Sequence, residues 1–331
     1  MGGGSSELPS VQFWCFSQCT VQSSPVFPKP NGHMVPKISI VVPVYAGREP
    51  LRALLRSIEL LDPPPFEVIV VLDGTIPEDR SIAHAADVTI IDLPTRVRPA
   101  AARNIGVQRC SGEIVLFLDA DVTVPEILVG QVVTAFQDDP TIDALIGSYD
   151  DAPGGTNFLS QYKNLLHHYV HQQGQEAAST FWGACGAIKR EVFDAVGGFD
   201  ESWYYIEDIE LGYRLRAAGY HIRLCKHIQV KHWKIYTPLR LIRSDVIGRA
   251  LPWSLLILRD GHAVDDLNTD RTGRVSVVLA GLLVLTMIGG LWVSWLWVLA
   301  LGVLALLVVL NWDIYVFLTV KRGLWVTIRA V

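Results

Sequence analysis

Two aspartates two residues apart, Asp119 and Asp121, follow the run Ile114-Val115-Leu116-Phe117-Leu118. Five consecutive apolar residues bounded by charge predict a strand buried on both faces of a parallel sheet. Side chains two apart leave a strand on the same side. Both carboxylates therefore stand at the carboxyl edge, where open α/β sheets bind ligands. With only Ala120 between them, they suit a hard divalent cation that also holds phosphate oxygens. Taken alone, the pair also fits two solvated turn carboxylates. A second acidic pair, Glu207-Asp208, opens an amphipathic pattern through Leu211, Leu215 and Ala218. His167, His168 and His171 fall at helical spacing that could bind a metal, although a polar helix face is expected of them. Cys15 and Cys19 lack a second ligand pair, so no metal centre is expected there.

The elements that must position these residues alternate. Strands are predicted over Lys37–Tyr45, with Pro43 ending its ladder pairing, over Phe66–Leu72 running into Asp73-Gly74, over Asp87–Leu93, over the run into Asp119, and over Asp143–Tyr149. Helices are predicted between them over Glu49–Leu61, Glu78–Ala86, Pro99–Cys110 and Pro125–Gln137. This βαβα order predicts a parallel sheet with helices on both faces, and the polar ends of its first four strands line one edge. Beyond Asp150 a helix is expected over Asn157–Gln175. A small, Gly-rich stretch over Ser179–Lys189 brings backbone close to a ligand. Two helices follow, Glu191–Val196 and Tyr205–Gly219, and then an edge strand over Ile222–Val230 leading into Lys231-His232-Trp233.

The 331 residues allow two domains, or one with an appendage. A net charge of −5 and a pI near 6.0 argue against a nucleic-acid partner. Five scattered cysteines give no disulfide framework and fit a reducing compartment. Residues 1–36 read as a poorly ordered lead-in without a signal peptide. The mean hydropathy of +0.31 owes its excess to the C-terminus. Residues 236–270 mix Arg with large apolar side chains. That mixture fits helices lying in a membrane interface and also fits amphipathic helices packed on the sheet. From Val275 to Trp312 no residue is charged. One helix of that length would be roughly 57 Å at 1.5 Å per residue, against a hydrocarbon core of about 30 Å. A transmembrane helical hairpin over 271–331 is expected, turning at Gly289-Gly290 or Ser294. Arg271, Arg274, Lys321 and Arg322 place both outer ends in the cytoplasm; a single tilted span is the alternative.

Six motifs occur in order: Val42-Pro43-Val44-Tyr45, Val70-Val71-Leu72-Asp73-Gly74, Ala102-Arg103-Asn104-Ile105-Gly106, Asp119-Ala120-Asp121, Gly197-Gly198-Phe199-Asp200 and Glu207-Asp208-Ile209-Glu210-Leu211. Over residues 37–235 the chain resembles the family 2 glycosyltransferases, and with its tail the membrane-attached bacterial members. The resemblance implies a GT-A (Rossmann-like) α/β fold with a mostly parallel sheet and flanking helices. It implies a nucleotide-sugar site: Pro43, Val44, Tyr45 and Glu49 at the base pocket, Asp73 accepting from the base, Arg103 reaching base or phosphate, and Asp119 with Ala120 at the ribose. Asp119, Asp121 and His232 would hold Mg²⁺ or Mn²⁺ on the diphosphate. Asp208 would be the general base, with Glu207 as the alternative. Trp182, Gly183 and Ala184 would shape the acceptor and sugar pocket. The implied partners are a nucleotide-sugar donor, a membrane lipid or lipid-linked acceptor, and the membrane itself. The implied place is the inner (plasma) membrane, with the catalytic domain cytoplasmic.

The sequence departs from the family pattern at Ala46-Gly47, where Asn is common, and at Leu72-Asp73, where two Asp are common; both leave the base open. The Gln-x-x-Arg-Trp signature of processive synthases is absent, which favours single transfer. A nucleotidyltransferase on a similar sheet would want a Gly-rich basic loop, and Tyr45-Ala46-Gly47-Arg48 is a poor version. A non-catalytic, membrane-anchored nucleotide-sugar-binding protein would be free to lose the carboxylates that are intact here.

Overall fold

The computed structural model describes residues 35–261, 264, 266, 267 and 270–330. The lead-in up to residue 34, with Cys15 and Cys19, lies outside them. In chain order the elements are β1 (Ile38–Val44), α1 (Arg48–Glu59), β2 (Glu67–Asp73), α2 (Pro77–His84), β3 (Thr89–Leu93), α3 (Pro99–Arg109), β4 (Ile114–Leu118), β5 (Val122–Thr123), α4 (Leu128–Asp138) and β6 (Ala144–Tyr149). There follow α5 (Phe158–Gln173), β7 (Ala177–Ala178), β8 (Cys185–Lys189), α6 (Arg190–Ala195), α7 (Glu207–Ala217) and β9 (Ile222–His232).

One sheet runs β3-β2-β1-β4-β8-β6-β9-β5, with β7 also on β9. The first four of these are parallel. β8 enters antiparallel between β4 and β6, and β6 and β9 are again parallel. The sheet is therefore mixed, and the carboxyl ends of β1, β2, β4, β6 and β9 share one edge with the start of β8. Val41, Val42, Val70, Val71, Leu116 and Phe117 have no exposed surface, as central strands covered on both faces require. Leu51, Leu54, Leu55 and Ile58 form the buried face of α1. Each such side chain contributes about 1.5–3 kcal/mol by burial.

Three expectations change. Pro43 interrupts one side of β1 only: pairing with β4 stops at Val41, while pairing with β2 runs on through Val44. β9 is no edge strand, because the two-residue strands β5 and β7 pair on its far side. The histidine face of α5 is buried, not polar and solvated. The β6–β9 register shifts between Ile146 and Ser148. The carbonyl of Gly147 there meets His171 Nδ1 at 2.9 Å, and that of Tyr149 meets His168 Nδ1 at 2.7 Å. Imidazoles thus satisfy carbonyls that the irregular ladder leaves over.

Past β9 come α8 (Pro238–Ile242), a π-helical stretch over Arg243–Ala250, α9 (Leu251–Asp260), α10 (Arg271–Gly289), α11 (Leu296–Leu310), α12 (Trp312–Arg322) and α13 (Leu324–Ala330). Helices α10 and α11 form a hairpin whose turn falls at 290–295. At the opposite end of the hairpin Asn311 Nδ2 donates to Ser276 Oγ at 3.0 Å. Among the described residues α10 alone is long and apolar enough to cross a membrane; α11 and α12 pass that test only as a pair bent by 67°. Helices α12 and α13 return to α5 and the loop before it: Lys321 meets Asp151 of that loop at 2.5 Å, Arg322 meets Gln161 at 2.7 Å and Arg329 lies over the Phe158 ring.

Candidate active site

The shared strand edge gathers most of the expected residues. Asp119 and Asp121 leave β4, His232 ends β9, and Gly183 and Ala184 enter β8. Arg103 is carried in by α3 and Glu207-Asp208 open α7. The guanidinium of Arg103, 4% exposed, is the hub. Its Nη1 donates to Glu207 Oε1 and its Nη2 to Asp119 Oδ1, both at 2.7 Å. Burial would lower its pKa, but Asp119, Glu207 and Asp208 together raise it. Both terminal nitrogens of Arg103 are therefore engaged by carboxylates, while its buried Nε has no partner among the described residues. Gly183 permits this clamp: a Cβ there would lie 2.8 Å from Arg103 Nη2, where only a missing side chain leaves room.

The two acids of α7 are sorted by environment. Glu207 is buried against Arg103, and burial raises its pKa. Asp208 is partly exposed. Its Oδ2 accepts from the Gly183 N–H at 3.1 Å and its Oδ1 from the Ile209 N–H at 2.8 Å. Burial of the carboxyl raises Asp208 as well, with Arg103 pulling the other way. Of the two, Asp208 is the carboxylate open to a substrate proton.

Asp121 Oδ2 and His232 Nε2 are 3.7 Å apart, too far for a hydrogen bond and close enough for both to reach one cation. Burial would raise Asp121, but the neighbouring His232 and the charge of Lys234 bring it down to about 2. His232 lies flat on Tyr149, ring centroids 4.1 Å apart at 7°, and pairs in register with Val122. Among the described residues no three His, Cys, Asp or Glu side chains converge as a complete metal cage, and Asp119 is turned to Arg103. Asp121 and His232 fit a Mg²⁺- or Mn²⁺-type ion that takes its remaining ligands from substrate phosphates.

Other expected residues sit elsewhere. Asp73 is buried, and its two oxygens accept from the backbone N–H groups of Val97 and Arg98 at 2.5 and 2.9 Å. It holds the loop that precedes α3. Trp182 packs inward on Tyr149, His167 and His171, so it walls the site from behind. Glu49 is exposed on α1 and pairs with Arg52. Tyr45 stands half-exposed at the end of β1, beside Pro43 and Val44 in the strand, and Ala120 lies between the two aspartates.

Three contributors have no clear sequence signal. Asp79 is fully buried and accepts from the N–H groups of Gly47 at 3.2 Å and Arg48 at 2.6 Å, fixing the β1–α1 loop. Tyr149 reads only as the end of a strand. Lys234 lies close enough to Asp121 for their charges to act on each other; its position two residues past His232 is the one hint.

The profile of glycosyl transferase family 2 matches residues 39–197. The pre-mycofactocin glycosyltransferase of Mycobacterium tuberculosis is 28% identical over 235 residues, 68% of this chain and 46% of that protein. The probable glycosyltransferase YdaM of Bacillus subtilis is 26% identical over 209 residues, 58% of this chain and 50% of that one. The chain thus spans about half the length of these curated relatives. A mannosyltransferase from Pyrobaculum calidifontis, solved in complex with GDP-Man and Mn²⁺, superposes with a TM-score of 0.61 over 90% of this chain and 88% of that one, at 19% identity; this likeness establishes the fold. Residues 39–197, which hold the first strands of the sheet and the Asp119-Ala120-Asp121 motif, thus form a domain of the glycosyl transferase family 2 type.

Proposed function

We propose that the chain is a membrane-attached, inverting glycosyltransferase. It moves a sugar from a nucleoside-diphosphate sugar to the hydroxyl of a membrane lipid or lipid-linked acceptor, at the cytoplasmic face of the inner (plasma) membrane. The observation that carries the reading is Asp208, a partly exposed carboxylate oriented by two backbone N–H groups beside the Arg103–Asp119–Glu207 cluster. Asp208 takes the proton of the acceptor hydroxyl as its oxygen bonds to the anomeric carbon. The bond from that carbon to the diphosphate oxygen breaks on the opposite side, and the nucleoside diphosphate leaves with the electron pair. Arg103 holds Asp119 and Glu207 in place, and Gly183 keeps Asp208 aimed. A divalent cation at Asp121 and His232 would supply charge neutralisation of the leaving diphosphate.

The tail supports the membrane part. A helix of 19 residues is about 28 Å long, close to a hydrocarbon core. Val277, Val278, Leu285, Leu301 and Val309 expose large apolar surface on the hairpin, more than water tolerates on a lone protein. Trp292, Trp295 and Trp297 cluster at its turn, and Arg271, Arg274, Lys321 and Arg322 stand at its other end. Aromatic residues at one interface and basic residues at the other fit a hairpin with both ends cytoplasmic. The exposed Leu239, Ile242, Leu251, Leu255 and Leu258, interleaved with arginines, fit an interfacial layer below it.

The test is release of nucleoside diphosphate by the full chain in nanodiscs, offered UDP-, GDP- and dTDP-sugars with Mn²⁺ or Mg²⁺. One donor is expected to turn over slowly with metal, and Asp121→Ala to abolish turnover. No binding and no turnover of any donor with either metal would overturn the reading.

A further inference from the structure

The loop over residues 199–206 leads from α6 into Glu207-Asp208 and is held at both ends. Asn104 of α3 clasps its start: Nδ2 donates to the Phe199 carbonyl and Oδ1 accepts from the Phe199 N–H, both at 2.9 Å. Asp200 then closes a turn, accepting from the Ser202 N–H at 3.0 Å. At the far end Ile206 is buried with Tyr213, Trp253 and Leu256, which ties the loop to α7 and α9. The Arg259 guanidinium stands 5.5 Å from the Trp203 ring and pairs with Glu210 of α7.

Between these anchors two tyrosines remain in the open. Tyr204 is 36% exposed and Tyr205 40%, with ring centres 4.3 Å apart at 67°. Neither is loose. The Arg98 guanidinium lies 4.5 Å from the Tyr204 ring, and the Arg98 N–H donates to Asp73 at the strand edge. Arg98 sits at φ +81°, a strain that a non-glycine residue bears only where its surroundings impose it. Tyr205 stands against the π-helical stretch: a Cβ on Gly248 would lie 3.6 Å from its Cδ1. The pair forms a fixed lip just ahead of Asp208 in the chain, beside the helices of the interfacial layer.

What such a lip binds follows from its chemistry. Two rings already held in place offer apolar faces at little ordering cost. Their hydroxyls and the guanidinium beside them offer polar partners. The electron-rich face of an aromatic ring attracts C–H groups, and a pyranose has a face of C–H bonds and a rim of hydroxyls. An alkyl chain would match the rings alone. It finds a better surface in Leu239, Ile242, Leu251, Leu255 and Leu258 of the neighbouring helices.

We propose that the acceptor is a lipid-linked saccharide whose terminal pyranose stacks on Tyr204 and Tyr205, so that the chain extends a glycan and does not glycosylate a bare lipid alcohol. The reacting hydroxyl is one of that sugar's own. It gives its proton to Asp208 as its oxygen bonds to the anomeric carbon of the donor, and the nucleoside diphosphate leaves. The lipid part lies on the leucines and the saccharide on the tyrosines. The inference deepens the transferase reading above and rests on it.

The test uses the full chain in a detergent that carries no sugar, with the donor it turns over and metal. The probes are octyl glycosides of glucose, galactose, mannose and N-acetylglucosamine, against 1-octanol and dioctanoylglycerol. At least one glycoside is expected to yield an octyl disaccharide, read by mass, at least about ten-fold faster than either alcohol reacts. Tyr205→Ala is expected to raise KM for that glycoside at least about five-fold, as loss of one aromatic contact implies. Tyr205→Phe, which keeps the ring, is expected to stay within about two-fold of the wild type. Tyr205 is exposed, so both variants should melt as the wild type does. Three results overturn this inference and leave the transferase reading standing: transfer to either alcohol as fast as to the glycosides, no transfer to any glycoside while the donor is hydrolysed, or an unchanged KM in Tyr205→Ala. Failure to turn over any donor overturns both.

Discussion

At the scale of single residues, the site is organised by one buried cation among three carboxylates. A buried ion pair adds little net stability over an apolar replacement, but removing one partner strands the others. Arg103→Ala leaves Glu207 buried without a counter-charge beside Asp119, and is expected to cost about 3–5 kcal/mol, read as a fall in the unfolding midpoint. A melt indistinguishable from wild type would show that Arg103 is no hub. Gly183→Ala drives a Cβ to 2.8 Å from Arg103 Nη2. It is expected to cut turnover at least about ten-fold through a lost Asp208 alignment; wild-type turnover would contradict that. Burial raises both Asp208 and Glu207, so the acid limb of kcat/KM lies above the ordinary aspartate value of about 3.9. The sign follows from the role: the base works deprotonated, so activity is full above that raised pKa and falls as pH drops through it. The limb belongs to the interacting pair rather than to one residue, and a limb at or below about 3.9 would argue against Asp208 as base. Asp119, Asp121 and Asp208 are legible in sequence because short motifs fix them. The partners of Arg103 are not, because Glu207 lies 104 residues away and only the folded sheet brings it near.

At the scale of elements, long apolar strands and regularly spaced helices announce themselves. The buried runs of β1, β2 and β4 and the leucine face of α1 follow directly from pattern. Two-residue strands carry no period, so β5 and β7 leave no trace and β9 looks like an edge. The histidines of α5 mislead for a related reason: a polar side chain at helical spacing reads as solvated unless the carbonyl awaiting it is known. His171→Phe keeps the ring but leaves the Gly147 carbonyl unpaired. It is expected to destabilise by about 1–3 kcal/mol, with the larger loss of activity falling on metal-dependent turnover because Tyr149 supports His232. Equal stability would mean that another donor reaches that carbonyl.

At the scale of the whole molecule, the uncharged C-terminal run is the plainest feature of the sequence. The helix pair and the position of its turn were legible from charge and length alone. The return of α12 and α13 to α5 and the loop before it was not, since Lys321–Asp151 and Arg322–Gln161 join residues more than 150 positions apart. The hairpin account places residue 294 opposite residue 272. With Cys15 and Cys19 changed to serine, Ser294→Cys in inverted vesicles is expected to resist a membrane-impermeant thiol reagent and Thr272→Cys to react. Reaction of both from the same side would exclude a spanning hairpin.

The central claim is that Asp208 works as the base while Glu207 holds Arg103. Its most direct test is single-turnover hydrolysis of the bound donor, with water standing in for the acceptor, in wild type, Asp208→Asn and Glu207→Gln. Asp208→Asn is expected to lose at least about 100-fold in rate, while nucleoside diphosphate affinity stays within about three-fold. Glu207→Gln is expected to lower the unfolding midpoint along with the rate. Wild-type turnover by Asp208→Asn, with Glu207→Gln inactive yet fully stable, would exchange the two roles and contradict the account.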